Sequence, residues 1–197
     1  MDFEDKIVIV TGAASGIGES CARMLLDLNT TVAGFDRKPC KITAQKFKSC
    51  LVDVTDGEAV SAAVDEVEKD FNKIDGLVNC AGVTSNAKPF YEMSMEEFET
   101  VVSINLTGTF LCSKYVSRKM IEKKKGKIVN ISCIRSRIFG PNSADYSASK
   151  GGVVATNLGD GDRPGPVQHT GEFCGPGSNI DGNDTGALQC PRDQGYV

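Results

Sequence analysis

Lys6-Ile-Val-Ile-Val10, followed directly by Thr11-Gly-Ala-Ala-Ser-Gly-Ile-Gly18, is the stretch that decides the fold. A short, continuous apolar run is typical of a strand that is buried on both faces of a sheet. The glycines permit a tight turn and a close approach of the backbone to a phosphate, and the N-terminus of a following helix supplies N–H donors. The stretch therefore predicts a strand, a turn and a helix that bind the pyrophosphate of a dinucleotide.

Strand and helix signals continue to alternate as far as residue 155. Apolar runs predict four further strands, at 31–35, 50–53, 74–79 and 127–132. Capping-box patterns at Thr55 and Ser94 predict helices that run to about Asn72 and about Lys125, and a last helix begins near Asp145. This alternation predicts an α/β fold: a Rossmann-like, doubly wound parallel sheet with helices on both faces, truncated after about five strands.

Composition excludes several other classes of protein. A net charge of −4 and a pI near 5.1 argue against a nucleic-acid-binding surface. No segment reaches the roughly 20 apolar residues of a membrane span, and the first residues lack the pattern of a signal peptide, so we expect a cytoplasmic protein with no membrane partner. The eight cysteines are then mostly reduced thiols, and with no Cys-x-x-Cys and one histidine, no metal site is predicted.

Tyr146-Ser-Ala-Ser-Lys150 is the strongest chemical signal in the chain. Residues four apart lie one above the other on a helix, which brings the ammonium of Lys150 close to the phenol of Tyr146. A nearby cation favours the phenolate, so we expect the pKa of Tyr146 to fall below its ordinary value of about 10. The pair is then a proton donor and acceptor that works near neutral pH.

Asp36 predicts which dinucleotide binds. It ends the second strand, where its carboxylate would accept hydrogen bonds from the ribose hydroxyls of an adenosine and repel a 2′-phosphate. This favours NAD over NADP. Arg37 argues in the other direction, because an arginine at this place can accept that phosphate.

Taken together, these motifs resemble those of the short-chain dehydrogenase/reductase family over residues 1–155. The matching segments are Thr11 to Gly18, Asn79-Cys-Ala-Gly82, Asn105, Tyr146 with Lys150, and Asp53-Val54 at the adenine contact. The resemblance implies an NAD(P)-dependent oxidoreductase acting on a small alcohol or carbonyl substrate. It implies a cofactor site made of Gly12, Ser15, Gly16, Ile17, Gly18, Asp36, Arg37, Asp53, Val54, Asn79, Ala81, Gly82, Tyr146 and Lys150.

The same resemblance assigns the catalytic roles. Tyr146 exchanges a proton with the substrate oxygen, Lys150 lowers the pKa of that tyrosine and holds the nicotinamide ribose, and Asn105 holds a water in a proton relay. In the family a serine commonly lies 13 residues before the tyrosine, but that position is Cys133 here. Two interpretations remain open: Cys133 occupies the serine site as a weaker donor, or a shift of register makes Ser132 the donor.

Arg135 and Arg137 also depart from the family, which usually has small residues at these positions. They either attract an acidic substrate or belong to a solvated loop. Both interpretations are open at the level of the sequence.

The chain changes character after Ala155. Of the 42 residues from 156 to 197, 9 are glycine and 4 are proline, a content typical of disorder. We therefore predict an incomplete NAD-binding domain over 1–155 and a non-native, disordered tail over 156–197. A full-length parent is expected to be a homo-oligomer. The alternative function for this chain is an inactive remnant that binds at most the adenosine half of NAD.

The codons that can encode the tail permit a family-like sequence in another reading frame. With all allowed degeneracy, a shift of one nucleotide turns residues 162–177 into Thr-Asp-Leu-Ala-Pro-Tyr-Asn-Ile-Arg-Val-Asn-Ser-Val-Ala-Pro-Gly, which resembles the sixth strand and following turn of the family. The opposite shift over residues 168–173 cannot give Asn-Ile-Arg-Val-Asn. We therefore interpret residues 156–197 as the product of a frameshift.

Nucleotide sequencing of the transcript around the Ala155 codon tests this interpretation. We expect an alternative frame that continues the family pattern directly after that codon. A single open frame, with no second frame that encodes the pattern, contradicts it.

Overall fold

The computed structural model describes residues 3–84, 86–138, 141–161 and 167–173, and within these ranges six strands form one parallel sheet. The strands are β1 (Ile7–Thr11), β2 (Thr31–Asp36), β3 (Phe47–Leu51), β4 (Gly76–Asn79), β5 (Gly126–Ser132) and β6 (Val167–Phe173). Their order across the sheet is β3-β2-β1-β4-β5-β6, and all neighbours are parallel. The order changes direction between β1 and β4, which is where open α/β sheets bind ligands.

Five helices cover this sheet and connect its strands. They are α1 (Gly16–Asp27), α2 (Gly57–Phe71), α3 (Met95–Val102), α4 (Gly108–Glu122) and α5 (Ala144–Gly161). Short 3-10 turns at Phe90–Glu92 and Ile134–Ser136 lie in the connections after β4 and β5. The predicted α/β class, with a doubly wound parallel sheet, is confirmed.

The central strand explains why its sequence is apolar without interruption. Ile7 and Ile9 pack into a core cluster on one face of the sheet, together with α2 and α4, whereas Val8 and Val10 pack into a second cluster on the other face with α1. Alternate side chains of a strand point to opposite faces, so a strand covered on both sides must be apolar at every position.

Two predicted boundaries are corrected. β3 was predicted at 50–53, but it begins at Phe47 and ends at Leu51, because it is the edge strand and its first residues need not be apolar. The cap of α2 is Asp56 rather than Thr55. The Asp56 carboxylate accepts from the N–H groups of Glu58 and Ala59, both at 3.0 Å, while Thr55 instead donates its hydroxyl to Asp53.

The capping box at Ser94 is confirmed, but the long helix it opens is not continuous. A π-helical segment, Ser103–Thr107, separates α3 from α4. Single π turns inside helices often lie at functional sites, and this one contains Asn105.

The structure extends the sheet beyond the predicted boundary at residue 155. α5 continues to Gly161, and β6 pairs with β5 from Gly126↔Val167 to Ser132↔Phe173, so the sheet has one strand more than the five identified in the sequence. β6 occupies the positions at which the shifted codons permit Tyr-Asn-Ile-Arg-Val-Asn-Ser. The rest of the predicted tail, at 162–166 and 174–197, lies outside the described residues.

Among the described residues, no helix combines the length and the apolar character that crossing a membrane requires.

Candidate active site

The glycine-rich turn between β1 and α1 has the geometry that its sequence predicts. Gly12 has a φ of +70°, and a Cβ there would lie 2.9 Å from the Cα and N of Ala81. Gly16 has a φ of +59°, but a Cβ there would meet no atom within 4 Å. Both positions disfavour a side chain through their backbone conformation. Gly12 is also closed by the neighbouring loop, whereas Gly16 faces open space that a ligand can fill.

That space is a cavity of about 360 Å³ at the carboxyl ends of β1, β2 and β4. Its lining contains eleven of the residues that the sequence assigned to the cofactor: Gly12, Ser15, Gly16, Ile17, Gly18, Asp36, Arg37, Asp53, Val54, Ala81 and Gly82. The other lining residues are Phe35, Lys38, Val52, Cys80, Val83 and Ile104. Residues from five separate segments therefore meet at one site, as the resemblance implied.

Asp36 is fixed in this cavity by the main chain. One carboxylate oxygen accepts from the N–H of Ala14 at 3.0 Å, and the other accepts from the N–H of Lys38 at 2.9 Å. Each carboxylate oxygen has a second acceptor site, so both can still bind hydroxyl groups. Arg37 and Lys38 place two cations beside the same cavity.

Asp53 is held in a similar way. Its carboxylate accepts from the N–H of Thr55 at 2.9 Å and from the hydroxyl of Thr55 at 2.7 Å. These hydrogen bonds lower the pKa of Asp53 and keep it ionised. Val54 is buried directly beside it and supplies an apolar wall.

Asn79 does not line this cavity, and its role in binding the cofactor stays a prediction. Its amide donates to Ser113 at 3.0 Å and to Asn130 at 2.7 Å, so the side chain joins β4 to α4 and β5. The loop that follows is instead held by Thr11, whose hydroxyl accepts from the N–H groups of Cys80 and Ala81, both at 3.0 Å. Asn79 ends a strand with its side chain turned to a core face, which the motif alone does not reveal.

Asn105 clamps the same loop from the π-helical segment. Its Oδ1 accepts from the N–H of Val83 at 2.8 Å, and its Nδ2 donates to the Val83 carbonyl and to the Ser149 hydroxyl, both at 3.0 Å. Both amide donors are thus used within the protein, and the residue is fully buried. The side chain joins the cofactor loop to α5, and any water that it holds must bind to an acceptor atom of the residue.

Tyr146 and Lys150 lie one turn apart on α5, as predicted. The Lys150 ammonium donates to the carbonyl of Ile131 at 2.8 Å and lies 6.0 Å from the centre of the Tyr146 ring. The predicted fall in the tyrosine pKa is wrong for this structure. Burial, followed by the charge and hydrogen bond of Cys133, raises the pKa of Tyr146 to about 12.

Cys133, rather than Ser132, is the residue beside the tyrosine. The Cys133 side chain is fully buried and hydrogen-bonds with Tyr146. Ser132 is the last residue of β5 and directly precedes Cys133. Its hydroxyl donates to the carbonyl of Lys150 at 3.2 Å. A change of one residue on an extended chain reverses the direction of the side chain, so the two cannot exchange roles without a shift of the strand.

The cofactor cavity continues towards these residues. A second cavity, of about 470 Å³, is lined by Tyr146 and Lys150 together with Ile17, Cys80, Gly82 and Val83, which also line the first. The two cavities therefore adjoin, and together we call them the groove between Asp36 and Tyr146.

Two residues that the sequence did not single out support this site. Ser149 donates its hydroxyl to the carbonyl of Tyr146 at 2.8 Å and accepts from Asn105, so it joins the tyrosine to the clamp. Asp145 is fully buried, and its Oδ1 accepts from the N–H of Tyr146 at 2.7 Å. The one sign of Ser149 and Asp145 in the sequence was that they lie within three residues of Tyr146. Among the described residues, no group of three or more His, Cys, Asp or Glu side chains is arranged to hold a metal ion.

Comparison of the sequence with protein families gives one match over most of the chain. The description of that family is "short chain dehydrogenase", and the match covers residues 6–157. The chain is 35% identical over 160 residues to a cis-4-hydroxycyclohexanecarboxylate dehydrogenase of Sinomonas cyclohexanicum, covering 77% of this chain and 64% of that protein. It is 33% identical over 157 residues to a 2-dehydro-3-deoxy-L-rhamnonate dehydrogenase (NAD(+)) of Sphingomonas sp., covering 77% and 63%. The chain thus spans less than two thirds of the length of these relatives.

Solved structures give the same result. The ligand-free aldohexose dehydrogenase of Thermoplasma acidophilum superposes with a TM-score of 0.83 at 31% identity, covering 88% of this chain and 68% of that one. A short chain dehydrogenase of Leptospira borgpetersenii with bound NAD+ superposes with a TM-score of 0.82 at 27% identity, covering 88% and 72%.

The contact between Cys133 and Tyr146 generates a prediction about ionisation. Replacing Cys133 with alanine removes the charge and the hydrogen bond of Cys133 and leaves burial, so the apparent pKa of Tyr146 should fall from its value of about 12. In the wild-type chain Tyr146 should still be protonated at about pH 10, where an ordinary tyrosine is half ionised. NMR titration of ¹³C-labelled tyrosine measures this, with Tyr146→Phe to assign the signal.

Cys80→Ala is the matched control, because Cys80 lines the groove but does not contribute to the pKa of Tyr146. An unchanged titration midpoint in Cys133→Ala would show that the thiol does not act on the phenol.

Proposed function

The chain belongs to the short-chain dehydrogenase/reductase family, and from this premise we propose that it transfers a hydride between a nicotinamide cofactor and a secondary alcohol or carbonyl compound. By family it is an NAD(P)-dependent oxidoreductase. The observation that carries the proposal is the groove of two adjoining cavities, with a glycine turn and Asp36 at one end and Tyr146 with Lys150 at the other.

NAD is the cofactor that the proposal favours, and the residues fit it. The open space at Gly16 accepts a pyrophosphate beside the N-terminus of α1, and the free acceptor sites of Asp36 suit two ribose hydroxyls. One relative is named as an NAD(+) enzyme, and one structural neighbour holds NAD+. Arg37 and Lys38 are the features that favour NADP. The carboxylate of Asp36, which lines the same cavity, would nevertheless repel a 2′-phosphate.

The nicotinamide supplies hydride chemistry when it is bound, and the chain supplies the proton. Tyr146 would donate its hydroxyl proton to the substrate oxygen during reduction and accept it during oxidation. Lys150 would hold the nicotinamide ribose, and a water near Asn105 would complete a proton relay. With its pKa raised, Tyr146 in the chain without ligand is neutral at neutral pH and carries the proton that reduction requires.

Cys133 would take the place of the family serine and polarise the substrate carbonyl. A thiol is a weaker hydrogen-bond donor than a hydroxyl. Loss of one such donor costs about 10²–10³ in rate in other enzymes, so we propose that this chain is a slow catalyst.

The alternative function is a remnant that binds the adenosine half of NAD without turnover. One observation favours it. Every described residue that lines the glycine-turn cavity lies between Gly12 and Ile104, so this cavity does not depend on the later part of the chain. The site around Tyr146, in contrast, has a thiol in place of the serine and a tyrosine with a raised pKa. Binding of cofactor without turnover would identify this alternative.

Steady-state kinetics with NAD(H) and a panel of secondary alcohols and ketones tests the proposal. We expect slow turnover that falls at least about 10²-fold in Tyr146→Phe and rises at least about tenfold in Cys133→Ser. Tyr115→Phe is the matched control, since Tyr115 packs against the core and lines neither part of the groove. Turnover that survives Tyr146→Phe, or is unchanged in Cys133→Ser, contradicts the assigned roles.

Replacing Asp36 with asparagine tests the cofactor preference. The change removes the repulsion of a 2′-phosphate, so the ratio of the NADP and NAD dissociation constants should shift towards NADP by about tenfold or more. Asp27→Asn, an equal change of charge at the exposed end of α1, should leave the ratio unaltered. If the two variants behave alike, Asp36 does not select the cofactor.

A further inference from the structure

A third cavity also has Tyr146 in its wall. Its volume is about 400 Å³, and its lining residues are Thr84, Ala87, Cys133, Ile134, Arg135, Pro141, Asn142, Ser143 and Tyr146. It shares no lining residue with the glycine-turn cavity. Because Tyr146 forms part of its wall with Cys133 directly behind it, a molecule in this cavity can present an oxygen to the phenol.

Arg135 is the one charged side chain among the described residues that line this cavity. It lies in the short turn after β5 and is half-buried. None of the described residues that line the cavity is acidic, and Arg135 forms no salt bridge with any of them or with any other described residue. Arg137, two residues further on, is exposed and is not part of the wall.

The neighbouring charges do not neutralise Arg135. Lys88, whose N–H donates to the carbonyl of Asn142, pairs with Glu97 at 2.5 Å. Asp145 is fully buried and lines a different cavity, with Arg37 and Glu96. A cation in a neutral, partly desolvated wall attracts an anion more strongly than the same cation in water does.

We infer that the substrate carries a carboxylate, which Arg135 binds while the reacting carbon–oxygen group faces Tyr146 and Cys133. A guanidinium presents a planar fork of N–H donors that matches a carboxylate with two parallel hydrogen bonds. The cavity volume suits a small hydroxy or oxo acid. This inference rests on the proposed function for the chemistry at Tyr146, and Arg135 is then the residue that determines specificity.

Matched pairs of substrates provide the test. Wild-type chain, Arg135→Ala, Arg135→Lys and Arg137→Ala are each assayed with 3-hydroxybutyrate, 4-hydroxypentanoate and 4-hydroxycyclohexanecarboxylate, and with the carboxamide of each. The amide keeps the shape and removes the charge. Charge-assisted hydrogen bonds predict an acid-over-amide preference in kcat/KM of at least about tenfold for wild type.

Arg135→Ala should abolish this preference through the KM of the acid, Arg135→Lys should keep part of it, and Arg137→Ala should keep all of it. The change in the ratio, rather than in the rate, separates specificity from a general loss of structure. An acid-to-amide ratio that is the same in Arg135→Ala and wild type overturns the inference while turnover itself still supports the proposed function.

Calorimetric titration of 4-oxopentanoate against 4-oxopentanamide, in the presence of NAD, decides the case in which no substrate turns over. Acid-selective binding that is lost in Arg135→Ala supports the carboxylate site and contradicts catalysis. Binding of neither compound, or equal binding of both, overturns the inference.

Discussion

The carboxyl ends of parallel strands all emerge at one edge of the sheet, and the whole site depends on this constraint. β1 delivers the glycine turn, β2 delivers Asp36, β4 delivers the Cys80–Gly82 loop, and β5 delivers Cys133. None of these segments is close to the others in sequence. The parallel register, which the two core clusters fix by burying β1 on both faces, brings them together.

Two polar side chains then fix the loop that follows β4 at this edge of the sheet. Thr11 holds the loop after β4 against β1, and Asn105 holds the same loop at Val83 while reaching Ser149 on α5. The π-helical segment that contains Asn105 turns its amide towards the loop. The cofactor groove and the tyrosine helix are therefore coupled through one buried side chain, whose loss would leave several polar groups unpaired.

The sequence predicted the fold and most of the residues that line the glycine-turn cavity, because both depend on local patterns. Apolar runs, glycines and the capping residue Ser94 act over a few residues, and they indicated the strands, the turn and the start of α3 correctly. Three features could not be predicted because they depend on tertiary contacts. The side chain of Asn79 follows the register of β4, the pKa of Tyr146 follows its burial against Cys133, and the π turn at Asn105 follows from packing against Val83. Cys133 itself was visible as a departure, but only the structure shows that its thiol, rather than the Ser132 hydroxyl, meets the tyrosine.

The central claim is the proposal that the described part of this chain binds a dinucleotide in the groove between Gly16 and Lys150. Isothermal titration of the purified, folded chain with NADH tests it most directly. The account predicts saturable binding of about one NADH per chain that is lost in Gly16→Val, where a side chain would enter the open space beside the turn. Equal binding by that variant, or no binding by a wild-type chain with the circular dichroism of an α/β protein, would contradict it.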